Sequence, residues 1–285
     1  MNCYEEELLT YDDPLFAQVP LTFLITMTGS KRRSEYMTEL NKFHLTAQVI
    51  IISNKGYKKC NKPGVDSAAL DLWHANVYAA QRAAELAPGQ PVFILEDDVK
   101  FTANISKFAK AIEDFFLKQT EPSAYKLGCV PYLSYRLWNT EHLRVFHAAN
   151  THAVLYNAAA LARFSDFRIR WLHDLEMYQY LFVYTCSHVC ATQHLDFATE
   201  NSKSWNILGV PELAYKVIAN NDQEVFFTRA HTIAGYGGIY VLVIILVTIL
   251  VITLRFAFFS GRVSPKLAAN GRLRRWGGAQ SARHY

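Results

Sequence analysis

Residues Pro91–Phe101 read PVFILEDDVKF, and no other stretch constrains the fold of this chain as tightly. Val92, Phe93, Ile94 and Leu95 form a continuous apolar run, the mark of a strand buried on both faces. The run stops at three consecutive carboxylates, Glu96, Asp97 and Asp98. Burying adjacent carboxylates without compensation is costly, so the strand has to sit in the core yet end at an open, polar edge. A divalent cation relieves the repulsion most simply, since hard ions such as Mg²⁺ and Mn²⁺ prefer carboxylate oxygen. In open α/β sheets ligands collect at that same place, the C-terminal ends of the strands. Taken alone, the tripeptide fits a solvated acidic turn equally well.

The surrounding pattern alternates strands with helices. Leu21–Met27 (LTFLITM) and Ala47–Ser53 (AQVIIIS) are apolar and rich in β-branched residues, as strands are. Between them, Thr28, Gly29 and Ser30 turn the chain into a helix that starts near Lys31 and carries Tyr36, Met37 and Leu40. Asp66 or Ser67 caps a second helix, with Leu70, Trp73, Val77, Ala80, Ala84 and Ala87 as its apolar face and Pro88–Gly89 as its stop. A third helix presents Ile105, Phe108, Ala109, Ile112, Phe115 and Phe116, and Tyr125–Val130 and His152–Tyr156 read as later strands. This order predicts an α/β domain, a mainly parallel sheet flanked by helices. At 285 residues the chain is long enough for one core and a small appendage.

The appendage is expected at the C-terminus. No charged residue occurs from Thr232 to Leu254, and Ile239–Leu254 is almost wholly aliphatic. About 20 apolar residues span a ~30 Å hydrocarbon core, so one transmembrane helix is predicted over 232–259. It would follow an N-terminal extension (1–19) and the folded body (20–231), and precede a basic tail (260–285). From Arg255 onward there are seven Lys or Arg and no acid, which leaves 22 bases against 25 acids before it. A body that is slightly acidic excludes a nucleic-acid binder as the expected class. The basic tail argues for a cytoplasmic tail by the positive-inside rule. The acidic start, with Glu5, Glu6, Glu7, Asp12 and Asp13, shows no leader and argues for a cytoplasmic body on a single-pass membrane protein. Both orientations stay open. Five scattered cysteines point away from a disulfide scaffold and toward a reducing compartment.

Several motifs narrow the chemistry. TGSKRR after the first strand has neither G-x-G-x-x-G nor the Walker pattern. Its Lys31, Arg32 and Arg33 sit at a strand-to-helix corner, where cations meet a diphosphate or simply face water. Cys186, His188, Cys190 and His194 crowd four soft ligands into nine residues, a spacing that fits no standard zinc pattern. No G-x-S-x-G or H-E-x-x-H occurs, and one N-x-[ST] sequon lies at Asn104.

Taken in order, these motifs resemble glycosyltransferase family 25, the lipopolysaccharide and procollagen galactosyltransferases of GT-A fold. The matching stretches are FLITMTGSKRRSEYM, VFILEDDVKF, YKLGCVPY, THAVLYNAAALARF and WLHDLEMY, then Gln193 and Ser202. They cover about residues 20–206. Two features depart from the family: GVDSAALDLWHAN replaces its Glu-Ile-Gly-Cys…Ser-His stretch, and a C-terminal anchor is not general to it. The resemblance implies transfer of a hexose, galactose or glucose, from a UDP-sugar to a glycan, protein or lipid hydroxyl with inversion. It implies Mn²⁺ or Mg²⁺ on Glu96 and Asp98, with His194 or His173 completing the shell. Thr28, Arg32, Arg33 and Asp97 would meet the nucleotide, and Asp174, with Glu176 second, would be the base that deprotonates the acceptor. A retained fold without catalysis, serving as an anchored carbohydrate-binding or structural surface protein, is the alternative. A nucleotidyltransferase is a third reading.

Overall fold

The computed structural model describes residues 3–164, 177–193, 225, 229, 231 and 245–255. The chain divides into two compact units, residues 1–239 and 240–285.

The first unit is built on a nine-stranded sheet. Its strands are β1 (Tyr4–Thr10), β2 (Leu21–Met27), β3 (Gln48–Asn54), β4 (Val92–Glu96), β6 (Ser123–Lys126), β7 (Val130–Arg136), β8 (His142–Ala149), β9 (Ala153–Tyr156) and β10 (Phe182–Cys186). They lie in the order β1-β3-β2-β4-β9-β6-β10-β8-β7. A separate two-stranded sheet joins β5 (Val99–Phe101) to β11 (Ala191–Gln193). Among the described residues α1 (Arg33–Lys42), α2 (Ala68–Leu86), α3 (Asn104–Phe116) and α4 (Ala158–Phe164) pack on the faces of the large sheet.

The sheet is mixed, which corrects the mainly parallel one expected. β3-β2-β4 and β6-β10 are parallel pairs, while β1/β3, β4/β9, β9/β6, β10/β8 and β8/β7 are antiparallel. The larger parallel part is the three strands joined by the helical crossovers β2-α1-β3 and β3-α2-β4. Beyond them β9 inserts between β4 and β6 and reverses the local direction.

Successive side chains of β4 serve opposite faces, as pleating requires. Val92 and Ile94 join Phe23, Ile25, Ile52 and Trp73 on one side, and Phe93 and Leu95 join Leu24, Ile51, Ile105 and Ile112 on the other. α3 buries Ile105, Phe108, Ala109, Ile112 and Phe116, close to the face read from its sequence. α2 is rotated from its expected face and buries Trp73, Ala75, Ala79, Ala80 and Ala83, with Asp71 and Asn76. Its cap is Ser67, whose hydroxyl accepts the Leu70 amide.

The N-terminal residues form the edge strand β1 against β3, and Cys3 is disulfide-bonded to Cys60. Disulfides persist in oxidising surroundings, so the cysteine argument for a reducing compartment does not hold. Beside that bridge Lys62, almost fully buried, pairs with Asp71 and fixes the loop after β3.

The predicted membrane anchor is also corrected. Among the described residues no helix is long and apolar enough to cross a membrane. Within 232–259 the described helical stretch is 245–255. The transmembrane helix and the single-pass membrane location are therefore withdrawn.

Candidate functional site

Because β3, β2 and β4 are parallel, their C-terminal ends, Asn54, Met27 and Glu96, share one edge. β4 ends at Glu96 and β5 begins at Val99, so Asp97 and Asp98 are the whole of the connecting turn. β5 then leaves the large sheet and pairs with β11, setting Gln193 opposite Val99. The β2–α1 turn passes alongside, and Gly29 supplies its left-handed residue at φ 77°.

Asp97 is saturated. Its Oδ2 accepts from Thr26 Oγ1 at 2.6 Å and Ser30 Oγ at 2.8 Å, and its Oδ1 accepts from Arg32 Nη1 at 3.1 Å. These charge-assisted bonds tie the turn after β4 to the turn after β2.

Asp98 is only half satisfied. Gln193 Nε2 donates to Oδ2 at 2.7 Å, and Arg32 Nη1 stands 3.7 Å from the same oxygen. Oδ1 is buried without a hydrogen-bond partner. Burial pushes the Asp98 carboxyl up to about 6; Arg32 and Gln193 pull against that rise, and the neighbouring Asp97 adds to it. The third carboxylate, Glu96, is partly buried and accepts from Thr151 Oγ1 at 3.1 Å.

Behind Glu96 the packing is close. The Glu96 amide donates to the His152 carbonyl at 2.9 Å. The fully buried His152 ring has no hydrogen bond at either nitrogen, and burial lowers its pKa to about 4, so it is neutral. Gly128 makes this packing feasible: a Cβ there would lie 1.7 Å from the Ala191 carbonyl oxygen and 3.2 Å from His152 Nε2.

The sequence-derived candidates separate on this geometry. Glu96, Asp97, Asp98 and Arg32 come together. Thr28 is exposed beside them, its amide bonded to the Asn54 carbonyl at 2.8 Å. Arg33 turns away, with Nη2 bound to both Glu7 carboxylate oxygens at 2.8 and 3.0 Å. His173, Asp174, Glu176, His194 and Ser202 lie outside the described residues. Among the described residues no group of three or more His, Cys, Asp or Glu is placed to hold a metal ion. His188, from the Cys/His-rich stretch, stacks on Phe108 with ring centroids 4.5 Å apart.

Sequence reasoning missed Thr26, Ser30 and Thr151 as partners of the acidic turn. Thr26 and Ser30 left a signal: polar residues closing an apolar strand and opening the next turn. Thr151, more than fifty positions from Glu96, left none.

No family model matches the chain, and no curated protein does. Solved structures that it resembles include a glycosyltransferase involved in glycosylation of the major capsid of PBCV-1. That match has 14% identity and a TM-score of 0.30, over 52% of this chain and 64% of the other. The chain thus spans less than two thirds of that enzyme. Another is a protein assigned as a glucose-1-phosphate thymidylyltransferase, from Bacillus anthracis and in complex with sucrose. There the identity is 10% and the TM-score 0.29, over 70% of this chain and 76% of the other. Similarities this loose do not argue for family 25 or for a particular chemistry, which has to be read from the site itself.

Proposed function

We propose that the chain is a sugar transferase using a nucleotide-sugar donor, with the acidic turn after β4 as its diphosphate and metal site. The observation that carries this reading is Asp98 Oδ1, a buried carboxylate oxygen with no partner, at the C-terminal edge of a core strand. An oxygen in that position is costly unless a ligand satisfies it.

The donor set fits Mg²⁺ or Mn²⁺. Such ions are held by one or two carboxylates together with substrate phosphates and water, rather than by a full protein cage. Asp98 and Glu96 would supply the carboxylates. Asp97 would not, since all its donors come from the chain; it positions the turn. A divalent cation bound there would neutralise charge growing on the departing diphosphate. Arg32, at 3.1 Å from Asp97 and 3.7 Å from Asp98, is placed to share that charge.

In this reading the donor is a UDP-hexose, galactose or glucose, and a glycan, protein or lipid hydroxyl attacks with inversion. Asp174 is the proposed base that takes the acceptor proton, with Glu176 second, and His194 the further metal ligand.

Thermal unfolding of the full chain with UDP, GDP or CDP, each with and without Mn²⁺, tests the reading. Ligand at about 100 Kd stabilises the native state by ~2.7 kcal/mol. The expected result is a shift that needs one nucleotide and the metal together and disappears in Asp98→Asn. Absence of a shift with every pair, or a shift that survives Asp98→Asn, rejects the site.

A further inference from the structure

Exposed aromatic side chains gather at one corner of the large sheet. Tyr135 of β7, Phe146 of β8 and Phe182 of β10 are 38%, 48% and 44% exposed. Strand register puts them on one face. Tyr135 lies opposite Arg144, and Arg144 lies opposite Tyr184. Side chains two positions along a strand share a face, so Phe146 and Phe182 stand beside that row. At its inner margin the end of α3 packs on this face, Phe115 edge-on against Tyr184 at 5.1 Å.

Arg144 is the charge at the centre. Its guanidinium lies 4.3 Å from the Phe182 ring centre, 5.0 Å from Tyr184 and 5.9 Å from Phe146. Its Nη1 donates to the Val183 carbonyl at 3.3 Å. No carboxylate among the described residues pairs with it. The contrast with Arg82 is direct, since that arginine binds Glu6 and Glu85. Phe146 and Tyr135 extend the surface as a shelf, their rings 5.6 Å apart and tilted by 32°.

A half-buried cation with no carboxylate partner among the described residues, framed by exposed rings, fits a ligand that joins an anion to an apolar ring face. Contiguous exposed apolar surface next to a charged group is one signature of a binding site. A sugar ring bearing a carboxylate meets both demands. Its C–H face stacks on Phe146 or Tyr135, and its carboxylate lies in the ring plane, within reach of Arg144. An acidic side chain on a peptide would pair with Arg144 and leave the shelf bare.

We propose that the Tyr135–Arg144–Phe146–Phe182 face binds an acidic, uronate-type glycan. The site is separate from the acidic turn. β10 runs parallel to β6 and in the same sense as β4, so Phe182, at the start of β10, lies toward the edge opposite Glu96. It therefore stands or falls without the transferase reading.

The test is affinity electrophoresis of the full chain, without metal or nucleotide, through gels containing oligogalacturonate. Parallel gels carry the methyl-esterified oligomer, maltooligosaccharide or poly-glutamate. Retardation by oligogalacturonate is expected, with affinity at least about tenfold weaker for the esterified and neutral sugars. Phe146→Ser, Phe182→Ser and Arg144→Gln should each weaken binding about tenfold while the thermal midpoint of Phe146→Ser stays unmoved. No retardation overturns the proposal. So does equal retardation by poly-glutamate, or binding that survives both Phe→Ser changes.

Discussion

The two sides of the acidic turn are finished in opposite ways. On the Asp97 side, β2 and the start of α1 supply Thr26, Ser30 and Arg32, and the carboxylate is filled by the chain itself. On the Asp98 side, among the described residues, Gln193 alone donates at close range, and one buried oxygen is left over. Adjacent residues of one chemical type thus hold opposite places in the energetics. Asp97 supports the fold, while Asp98 is a cost to the fold that a ligand would remove. Substituting each carboxylate by its amide separates the two roles.

The largest effect is expected at Asp97. Asp97→Asn removes the charge that three donors address and turns an amide NH₂ toward some of them. Hydrogen bonds to a charged group contribute about 1.5–3 kcal/mol each, and losses do not add fully, so unfolding free energy should fall by about 3 kcal/mol. Urea unfolding measures it. A loss below about 1 kcal/mol would show that the turn holds without this anchor.

Asp98→Asn should move stability the other way. Burial raises the Asp98 pKa from 3.8 to about 6, so the folded state binds the proton more tightly than the unfolded chain. That contribution is fully present below about pH 4 and is lost as pH rises through 6. In chelator-treated protein the wild type should therefore lose stability relative to Asp98→Asn between pH 4 and 7. The loss should be on the order of 2 kcal/mol. Midpoints recorded across that range decide the matter, and parallel curves for the two proteins would contradict the half-satisfied reading of Asp98.

Much of this site was visible in the sequence, because its position depends on short-range pattern. An apolar run ending in carboxylates identifies β4 and its turn, and the 3.6-residue period of Ile105, Phe108, Ala109, Ile112 and Phe116 identifies α3. The division of labour between Asp97 and Asp98 was not visible. It depends on Thr26, Ser30 and Arg32, more than sixty positions upstream, and on Gln193, nearly a hundred downstream. β1 was hidden for a related reason. Its Glu5, Glu6 and Glu7 read as the acidic start of an extension outside the folded body, but they pair with Lys55, Arg82 and Arg33 in the folded chain. β7 and β8 present aromatic residues to solvent on one face and are broken by irregular pairing near Leu133, so no clean alternation betrays them. The Cys3–Cys60 pairing could not be deduced from five cysteines.

Gln193 offers a finer division on the Asp98 side. Gln193→Ala removes one hydrogen bond to a buried carboxylate and leaves Oδ2 with Arg32 alone at 3.7 Å. Metal-free stability should drop by about 1–2 kcal/mol, less than for Asp97→Asn. The metal-plus-nucleotide shift should shrink, because the orientation of Asp98 is no longer held. If the shift keeps its wild-type size, β11 contributes to the fold but not to the site.

The smallest effect is expected at Arg33, next in sequence to Arg32 but facing the other way. Its partner Glu7 lies on edge strand β1, and both side chains are about half exposed, 53% and 46%. Exposed ion pairs contribute about 0–1 kcal/mol and are screened by salt. Arg33→Ala should therefore change the urea midpoint little and leave any nucleotide and Mn²⁺ shift intact. Arg32→Ala should reduce that shift, because it takes a cation from between two carboxylates. Equal responses from the two variants would mean that the basic corner acts through overall charge. Unequal responses would place its function on one guanidinium, oriented by the carboxylate that the fold has already filled.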